Sequence, residues 1–414
     1  MERTAAGALA ALLIASAALA APLPVDECVR LALARAPSAR AADADLRAAQ
    51  ARVRAARAAY WPRLLGQAQY GHAEGYDEAI TNGGVTALGL AIEAPLLDGG
   101  LRAAELAAAK ARVSSARALS RQRLADVAFA VRSTYGAALA ERANAVIYGG
   151  AADALADYRA LLERQVELGL APSSDVPRAA LAEETARSAV RAATSALGAA
   201  AEELSELTGV TVDAEALVEG DAPPPLAPAA QVDDSPLLAD ARATAEAARH
   251  DADAARSEAW PHLALNADGG FLGVDPGPTF RNDGGGQFLF GFNVPLFDGG
   301  AIAARTAAAT AVHASAEANI GQIRQTLAIA LTHARADAQR ARADALAWQR
   351  AQPAADDALL LMRARYFGGG GATLVDVLDA LDQTVAARVA VARAQFDERL
   401  AAATVDQILG RSEP

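Results

Sequence analysis

The residue types most often used for catalysis are few in this sequence, and they are scattered. No two of the five histidines have the i, i+4 spacing with which a helix holds a metal ion; they are His72, His250, His262, His313 and His333. The single cysteine, Cys28, leaves no Cys-x-x-Cys motif. The glycine run 368–371 lacks the Lys and Ser/Thr that complete a phosphate-binding loop. We therefore expect neither an enzyme nor a metal site or cofactor.

The composition points to an elongated helical protein. Alanine dominates the 414 residues and aromatic residues make up only 5%, whereas a dense globular core uses more large apolar side chains. Alanine-rich helices need fewer of them, because a methyl group lets two backbones approach closely. The formal net charge of -12 argues against general nucleic-acid binding.

The first twenty residues predict a signal peptide. Arg3 precedes a run of small apolar residues, and Ala18-Leu19-Ala20 supplies a cleavage site before Ala21. The alternative is a retained anchor helix, but this run is only weakly hydrophobic. The sequence offers no other charge-free helix long enough to cross a bilayer, so any entry into a membrane after export must follow another route.

The rest of the chain contains the same pattern twice. Trp61-Pro62 corresponds to Trp260-Pro261, and residues 95–100 (Pro-Leu-Leu-Asp-Gly-Gly) correspond to residues 295–300 (Pro-Leu-Phe-Asp-Gly-Gly). A third marker lies further on in each half, namely Arg164, Gly169 and Asp175 in the first and Arg365, Gly370 and Asp376 in the second. The offsets of 199, 200 and 201 residues indicate an internal duplication.

Each half has the same predicted plan. The first repeat spans 21–208 and the second spans 236–410, with an irregular linker or equatorial segment at 209–235. In both, a lead-in helix ends at Trp-Pro, because proline cannot continue the helical hydrogen bonds. A strand pair and a long helical hairpin follow; the strand pairs fall at 63–97 and 262–297, and the hairpins at 101–208 and 301–409.

The strand pairs have the length and pattern of membrane strands. Apolar residues alternate with polar or small ones over about 9–11 residues, the length of a tilted membrane strand. The windows 60–98 and 260–298 hold 11 of the 19 aromatic residues, as expected for a lipid-facing band. The alternative is a pair of hairpins on a soluble core. Four strands are too few for a membrane barrel, so the membrane interpretation requires several copies, three giving twelve strands or four giving sixteen.

Two turns connect the strands to the long helices. Asp98 and Asp298 are expected to accept backbone N–H bonds where these helices begin; the same turns contain Pro95, Gly99, Pro295 and Gly299. Each long helix would extend about 100 Å, which far exceeds a hydrocarbon core of about 30 Å. These helices should therefore project away from the membrane.

In the order and spacing of these motifs, the sequence resembles the TolC-type outer-membrane efflux family. The resemblance rests on the duplicated strand pairs, on the two Pro-Leu-x-Asp-Gly-Gly motifs, and on Val375-Asp376-Val377-Leu378-Asp379-Ala380. It implies a homotrimer with a twelve-stranded barrel in the outer-membrane lipid, continued by a helical tunnel across the periplasm. It also implies a periplasmic adaptor protein and an inner-membrane pump as partners, in a tripartite efflux or type I secretion system.

The resemblance also implies functional residues at the periplasmic tips. Asp376 and Asp379, spaced i, i+3 on one helix face, would form two acidic rings that favour cations. The plainer interpretation is that Asp376 is a helix N-terminal acid, and both roles can hold together. Asp175 is a weaker candidate. An adaptor-docking tip is predicted at Leu168, Gly169, Leu170 and Gly370; the alternative for the first tip is a glycine C-cap with flanking apolar contacts, which the turn needs whatever its partner. The competing hypothesis is a non-channel periplasmic adaptor, but such a protein would carry one helical hairpin beside a compact β-domain.

Overall fold

The computed structural model describes residues 22–71, 85–220, 231–274 and 284–412. The predicted signal peptide lies outside the described residues. The helices are α1 (Val25–Arg35), α2 (Pro37–Ala58), α3 (Leu101–Glu167), α4 (Asp175–Thr208), α5 (Pro236–Ser257), α6 (Ala301–Phe367) and α7 (Leu374–Ile408). The strands are β1 (Arg63–Gly71), β2 (Val85–Leu97), β3 (His262–Val274) and β4 (Gly284–Asn293). The predicted mainly helical fold with four strands in each copy is confirmed.

The long helices follow from the sequence around their ends. Each begins directly after Asp-Gly-Gly and runs for 67 residues. The sequence left open whether Gly149-Gly150 bends or breaks α3, and the helix continues through both residues. Among the described residues, no helix combines the length and apolar character needed to cross a membrane.

The four strands form one antiparallel sheet in the order β1-β2-β3-β4. Two hairpins of matching register build it, since Arg63 lies opposite Glu93 in the first and His262 lies opposite Asn293 in the second. The two hairpins join where β2 pairs with β3, with a bulge between Pro95 and Leu97. This order makes β1 and β4 the two edge strands of the sheet.

The chain divides into two compact units. The first contains the described residues up to Ala42, together with Ser120–Pro236 and the chain from Gln325 onward. Its largest core cluster includes Cys28, Val131, Tyr135, Leu204 and Leu217. The Tyr135 hydroxyl holds the equatorial segment, since it lies 2.8 Å from the carbonyl oxygen of Leu23 and accepts a hydrogen bond of 2.8 Å from the amide of Val218.

The second unit contains Asp43–Leu119 and Leu237–Arg324. It holds the whole sheet. Its buried helical positions are mostly alanines, among them Ala104, Ala108, Ala111, Ala243 and Ala247. Side chains of this size permit the close helix contacts that the composition predicts.

Candidate functional site

Both helical hairpins of the first unit turn through the same glycine motif. At the first tip, the amide of Leu170 donates to the carbonyl of Gln165 (2.8 Å) and Gly169 donates to Val166 (3.0 Å). At the second tip, Gly370 donates to Arg365 (2.6 Å) and Gly369 to Tyr366 (3.4 Å). The left-handed residue just past the helix end is Gly169 (φ 72°) at the first tip and Gly369 (φ 75°) at the second. This pattern is the Schellman motif, which requires a glycine-like conformation just past the helix end.

The hydrogen bonds correct one sequence prediction. The sequence pattern pairs Gly169 with Gly370, but in the structure Gly169 is equivalent to Gly369, and Gly370 occupies the position of Leu170. The offset is therefore 200, as it is for the preceding helix ends, Glu167 and Phe367. Asp175 and Asp376 are not equivalent either, since Asp175 is the first residue of α4 and Asp376 is the third of α7. The offset of 201 residues given by the third marker is therefore one residue too long at the arginines and two residues too long at the aspartates.

The first tip presents apolar side chains to its surroundings. Leu168 and Leu170 flank Gly169 and are 71% and 74% exposed. The corresponding stretch of the second tip, 368–371, consists only of glycine. Of the two turns, the first therefore offers the larger apolar contact.

Asp376 and Asp379 lie on the exposed side of α7. Val377 and Leu381 on the opposite side are buried, which fixes the orientation of the helix. Asp376 is also a helix cap: its Oδ2 accepts bonds from the amide (2.7 Å) and the hydroxyl (2.8 Å) of Thr373, whose Oγ1 accepts the Asp376 amide (3.3 Å). These bonds from Thr373 lower the pKa of Asp376. The carboxylate thus stays charged while it caps the helix.

A third acid extends this row and was missed from the sequence. Asp382 follows Asp379 by three residues, so the i, i+3 spacing that identified the first two could have found it. Desolvation by the surrounding side chains and the neighbouring charge of Asp379 raise the pKa of Asp382, which is itself exposed. Asp379 itself accepts a hydrogen bond of 2.8 Å from the side-chain amide of Gln383.

Asp175 lies in a different environment. Only 6% exposed, it accepts a hydrogen bond of 2.7 Å from the hydroxyl of Tyr366. The Tyr366 ring meets Phe367 edge-on at 5.0 Å. Asp175 begins α4 and Tyr366 lies in the last turn of α6, so this bond joins the two hairpins next to their tips. Sequence analysis did not single out Tyr366, which carries no local signal for the contact.

Burial and the bond to Asp175 raise the pKa of the Tyr366 hydroxyl well above its usual value. The neutral hydroxyl is therefore the form that the fold stabilises. Its contribution to stability is complete below the unfolded pKa of about 10 and is lost only as the pH rises through the higher folded value. The bond between the hairpins is thus present across the neutral range.

The turns after β2 and β4, in the second unit, have the predicted capping geometry. Asp98 accepts the amides of Gly100 (3.1 Å) and Arg102 (3.1 Å). Asp298 accepts those of Gly300 (2.9 Å) and Ile302 (2.6 Å). In the first turn, Arg102 also binds the Asp98 carboxylate directly and donates to the carbonyl of Pro95 (2.9 Å). The φ angles of Gly99 and Gly299 are 61° and 67°, which explains glycine at both positions.

The register of the sheet separates an apolar face from a polar one. One face carries leucine, isoleucine and phenylalanine side chains, namely Leu64, Leu88, Leu90, Ile92, Leu265, Phe288, Phe290 and Phe292. The other carries most of the polar residues, namely Arg63, Gln67, Gln69, Glu93, Asn266, Asp268 and Gln287, along with Leu65 and Leu289. Gln287 donates to Asp268 across the strands at 3.0 Å. Such a sheet can place one face in lipid and the other against water.

The chain belongs to the outer membrane efflux protein family. The family model described as "Outer membrane efflux protein" matches residues 28–210 and 230–411, which is most of the sequence. No curated protein sequence matches the chain. Members of this family are channels of the Gram-negative outer membrane that extend into the periplasm, and the chain is accordingly an outer-membrane efflux channel.

Solved structures share its fold along nearly the whole length. A membrane protein from Pseudomonas aeruginosa is 22% identical with a TM-score of 0.84, covering 93% of this chain and 93% of its own. The outer membrane protein VceC from Vibrio cholerae is 22% identical with a TM-score of 0.82, and the match covers 93% of this chain and 96% of VceC. The open state of the Neisseria gonorrhoeae MtrE outer membrane channel is 18% identical with a TM-score of 0.79, and the match covers 94% of this chain and 89% of MtrE.

Proposed function

We propose that three copies of this chain form a passive export duct in a tripartite efflux or type I secretion system. Each copy contributes its four strands to a twelve-stranded barrel, and the helical hairpins continue the passage into the periplasm. An inner-membrane pump supplies the energy, and a periplasmic adaptor connects the pump to the duct. The chain itself performs no chemistry on its cargo.

One observation carries the proposal of a gate, namely the exposed acidic row of α7 at the end of the second hairpin. Asp376 and Asp379 lie on the side of the helix opposite the buried Val377 and Leu381. In a trimer, three copies of this row converge on the axis. The resulting rings of negative charge attract cations and repel one another when they are close, which favours opening.

The bond between Tyr366 and Asp175 supports a closed resting state. It ties α6 to α4 next to the tips, so an opening that moves one hairpin away from the other must break it. A hydrogen bond to a charged group contributes about 1.5–3 kcal/mol. That is enough to bias a gate and small enough for a partner protein to overcome.

The adaptor contacts the first tip in this proposal. Leu168 and Leu170 are mostly exposed around the left-handed Gly169. Exposed apolar side chains at a rigid turn suit a protein contact. The second tip, built around Gly369 and Gly370, lacks such side chains and is more pliable.

Conductance in planar bilayers tests the acidic gate. Asp379→Asn, alone and with Asp376→Asn, removes the charges; we expect a several-fold weaker block by trivalent cations added to the periplasmic side. Thr373→Ala is the matched control, because it breaks the helix cap at Asp376 and leaves both carboxylates in place. Its block should remain that of the unchanged protein. If the two asparagine variants are blocked as strongly as the control, the acidic row does not line the entrance.

A further inference from the structure

Two glycines lie opposite each other where the strands of the two repeats pair. Gly89 of β2 faces Gly270 of β3 in the antiparallel register. Gly270 follows Asp268 by two residues, so both glycines belong to the polar face of the sheet. The strands are extended at both positions, and neither glycine has a positive φ angle. Their backbone conformation is therefore open to any residue.

The space around this pair, rather than its backbone conformation, requires glycine. A Cβ atom on Gly270 would lie 2.3 Å from the carbonyl oxygen of Leu88 and 2.6 Å from the Cα atom of Gly89. Both are backbone atoms of β2, which no side-chain rotation can move away. A Cβ atom on Gly89 would lie 3.0 Å from the carbonyl oxygen of Gly269. The two strands thus approach each other more closely here than a side chain at Gly270 would permit.

The direction of this approach shows how the sheet is bent. In a flat antiparallel pair, the Cβ atoms of opposed residues stand side by side, about 4.5–5.5 Å apart. At Gly270 the Cβ position instead leans onto the backbone of the neighbouring strand. This geometry arises where β2 and β3 fold towards each other on the face that carries these Cβ atoms. The sheet is therefore concave on its polar face at this pair.

Among the described glycines of the sheet, only this pair, which joins the two repeats, brings two backbones so close. Within the hairpins, a Cβ atom on Gly66 or on Gly285 would meet nothing within 4 Å, and at Gly286 the nearest backbone atom is 3.2 Å away. β2 and β3 also carry the bulge between Pro95 and Leu97. Bulges and glycine kinks are the features that curve β-sheets. The curvature is therefore concentrated between the two hairpins.

We propose that Gly89 and Gly270 form a crease that curves each copy of the sheet towards its polar face. This inference rests on the proposed function, in which the four strands of each copy are one part of a closed barrel. A flat sheet does not close into a barrel, whereas a sheet that is concave on its polar face places that face on the inside. The crease therefore fixes, within a single copy, which face surrounds the passage.

Substitution of single glycines by alanine tests the crease. Gly270→Ala places a methyl group against the β2 backbone, so the strands must move apart and the sheet must flatten. We expect loss of the trimer when the detergent-extracted protein is sedimented, and loss of channel openings in planar bilayers. Gly285→Ala is the matched control, because Gly285 lies directly opposite Gly270 on the same face and has open space around it. It should assemble and conduct as the unchanged protein does.

A milder variant keeps the test informative if Gly270→Ala does not fold. In Gly89→Ala the methyl group would lie 3.0 Å from a backbone oxygen, a contact that a shift of a few tenths of an ångström relieves. We expect a trimer yield between those of Gly270→Ala and Gly285→Ala. A yield equal to that of Gly285→Ala would contradict the crease.

Distances between spin labels test the direction of the curvature. The polar-face pair is Leu65→Cys with Gln287→Cys, on the first and last strands of the sheet. The apolar-face pair is Leu64→Cys with Phe288→Cys, one residue away on the same two strands. In a flat sheet the backbones of both pairs would be about 14 Å apart, whereas the crease predicts a shorter distance between labels for the polar-face pair. Labelled copies are diluted in unlabelled ones, so that each distance is measured within one chain.

The outcomes separate the crease from the proposed duct. Loss of the trimer in Gly270→Ala but not in Gly285→Ala, together with a shorter distance for the polar-face pair, supports the crease. Equal assembly of the two variants, loss of assembly in both, or equal or reversed distances overturn the crease and leave the proposed duct intact. An unchanged protein that sediments as a monomer and gives no conductance overturns the duct, and the two distances within the single chain then decide the crease.

Discussion

At the scale of single residues, the site divides into contacts that are local in sequence and one that is not. The acidic row from Asp376 to Asp382 is visible in the sequence because its members share one helix face. The bond between Tyr366 and Asp175 joins residues 191 positions apart. No spacing rule connects them, and only the packing of α4 against α6 brings them together. The sequence therefore identified the exposed acids Asp376 and Asp379, but it did not reveal that the buried Asp175 has Tyr366 as its partner.

Tyr366→Phe tests whether this bond restrains the tips. The change keeps the ring but leaves the buried Asp175 carboxylate without the hydroxyl, which costs about 1–3 kcal/mol. We expect a lower melting temperature and a larger mean conductance in planar bilayers. Tyr158→Phe is the matched control, since Tyr158 is also buried and packs through its ring against Phe367 at 5.6 Å. Equal conductance in the two variants would contradict a role for the bond in closure.

At the scale of elements, the sequence placed most boundaries well because the duplication marks them twice. β1 and β3 begin at Arg63 and His262, directly after Trp-Pro, as predicted. The exception is β4, which ends at Asn293 although the second strand pair was predicted to extend to residue 297. β2 reaches Leu97 because β3 lies beside it, whereas β4 is an edge strand. The length of a strand at its C-terminal end therefore depends on whether a neighbouring strand pairs with it. The pattern of residues within one strand does not reveal that neighbour.

Replacing glycine by alanine is expected to change stability in opposite directions at the two helical tips and inside α3. Gly169→Ala and Gly369→Ala should each lower the free energy of unfolding by about 1 kcal/mol, because both residues have positive φ. Gly149→Ala and Gly150→Ala should each raise it by about 0.5–1 kcal/mol, since both lie inside α3 with open space around them. Denaturant titration of the extracted protein measures all four. A loss of stability for the α3 pair would mean that these glycines serve a bend in the assembled channel.

At the scale of the whole molecule, the fold was predictable because one unit is used twice. The repeated plan predicts two hairpins and two helical pairs, and membership in the outer membrane efflux protein family agrees with it. The sequence could not show which of the equivalent alanines are buried, because all of them are ordinary alanine positions on a helix. Ala108 of α3 is buried, for example, whereas Ala308 of α6 is exposed.

The central claim is that the four-stranded sheet separates lipid from a water-filled passage. It is tested most directly by cysteine scanning of β4 from residue 287 to residue 292 in reconstituted bilayers, read out with a membrane-impermeant maleimide. We predict labelling that alternates along the strand, with reaction at 287, 289 and 291 and protection at Phe288, Phe290 and Phe292. Labelling that is uniform along the strand, or that follows the opposite alternation, would contradict the account.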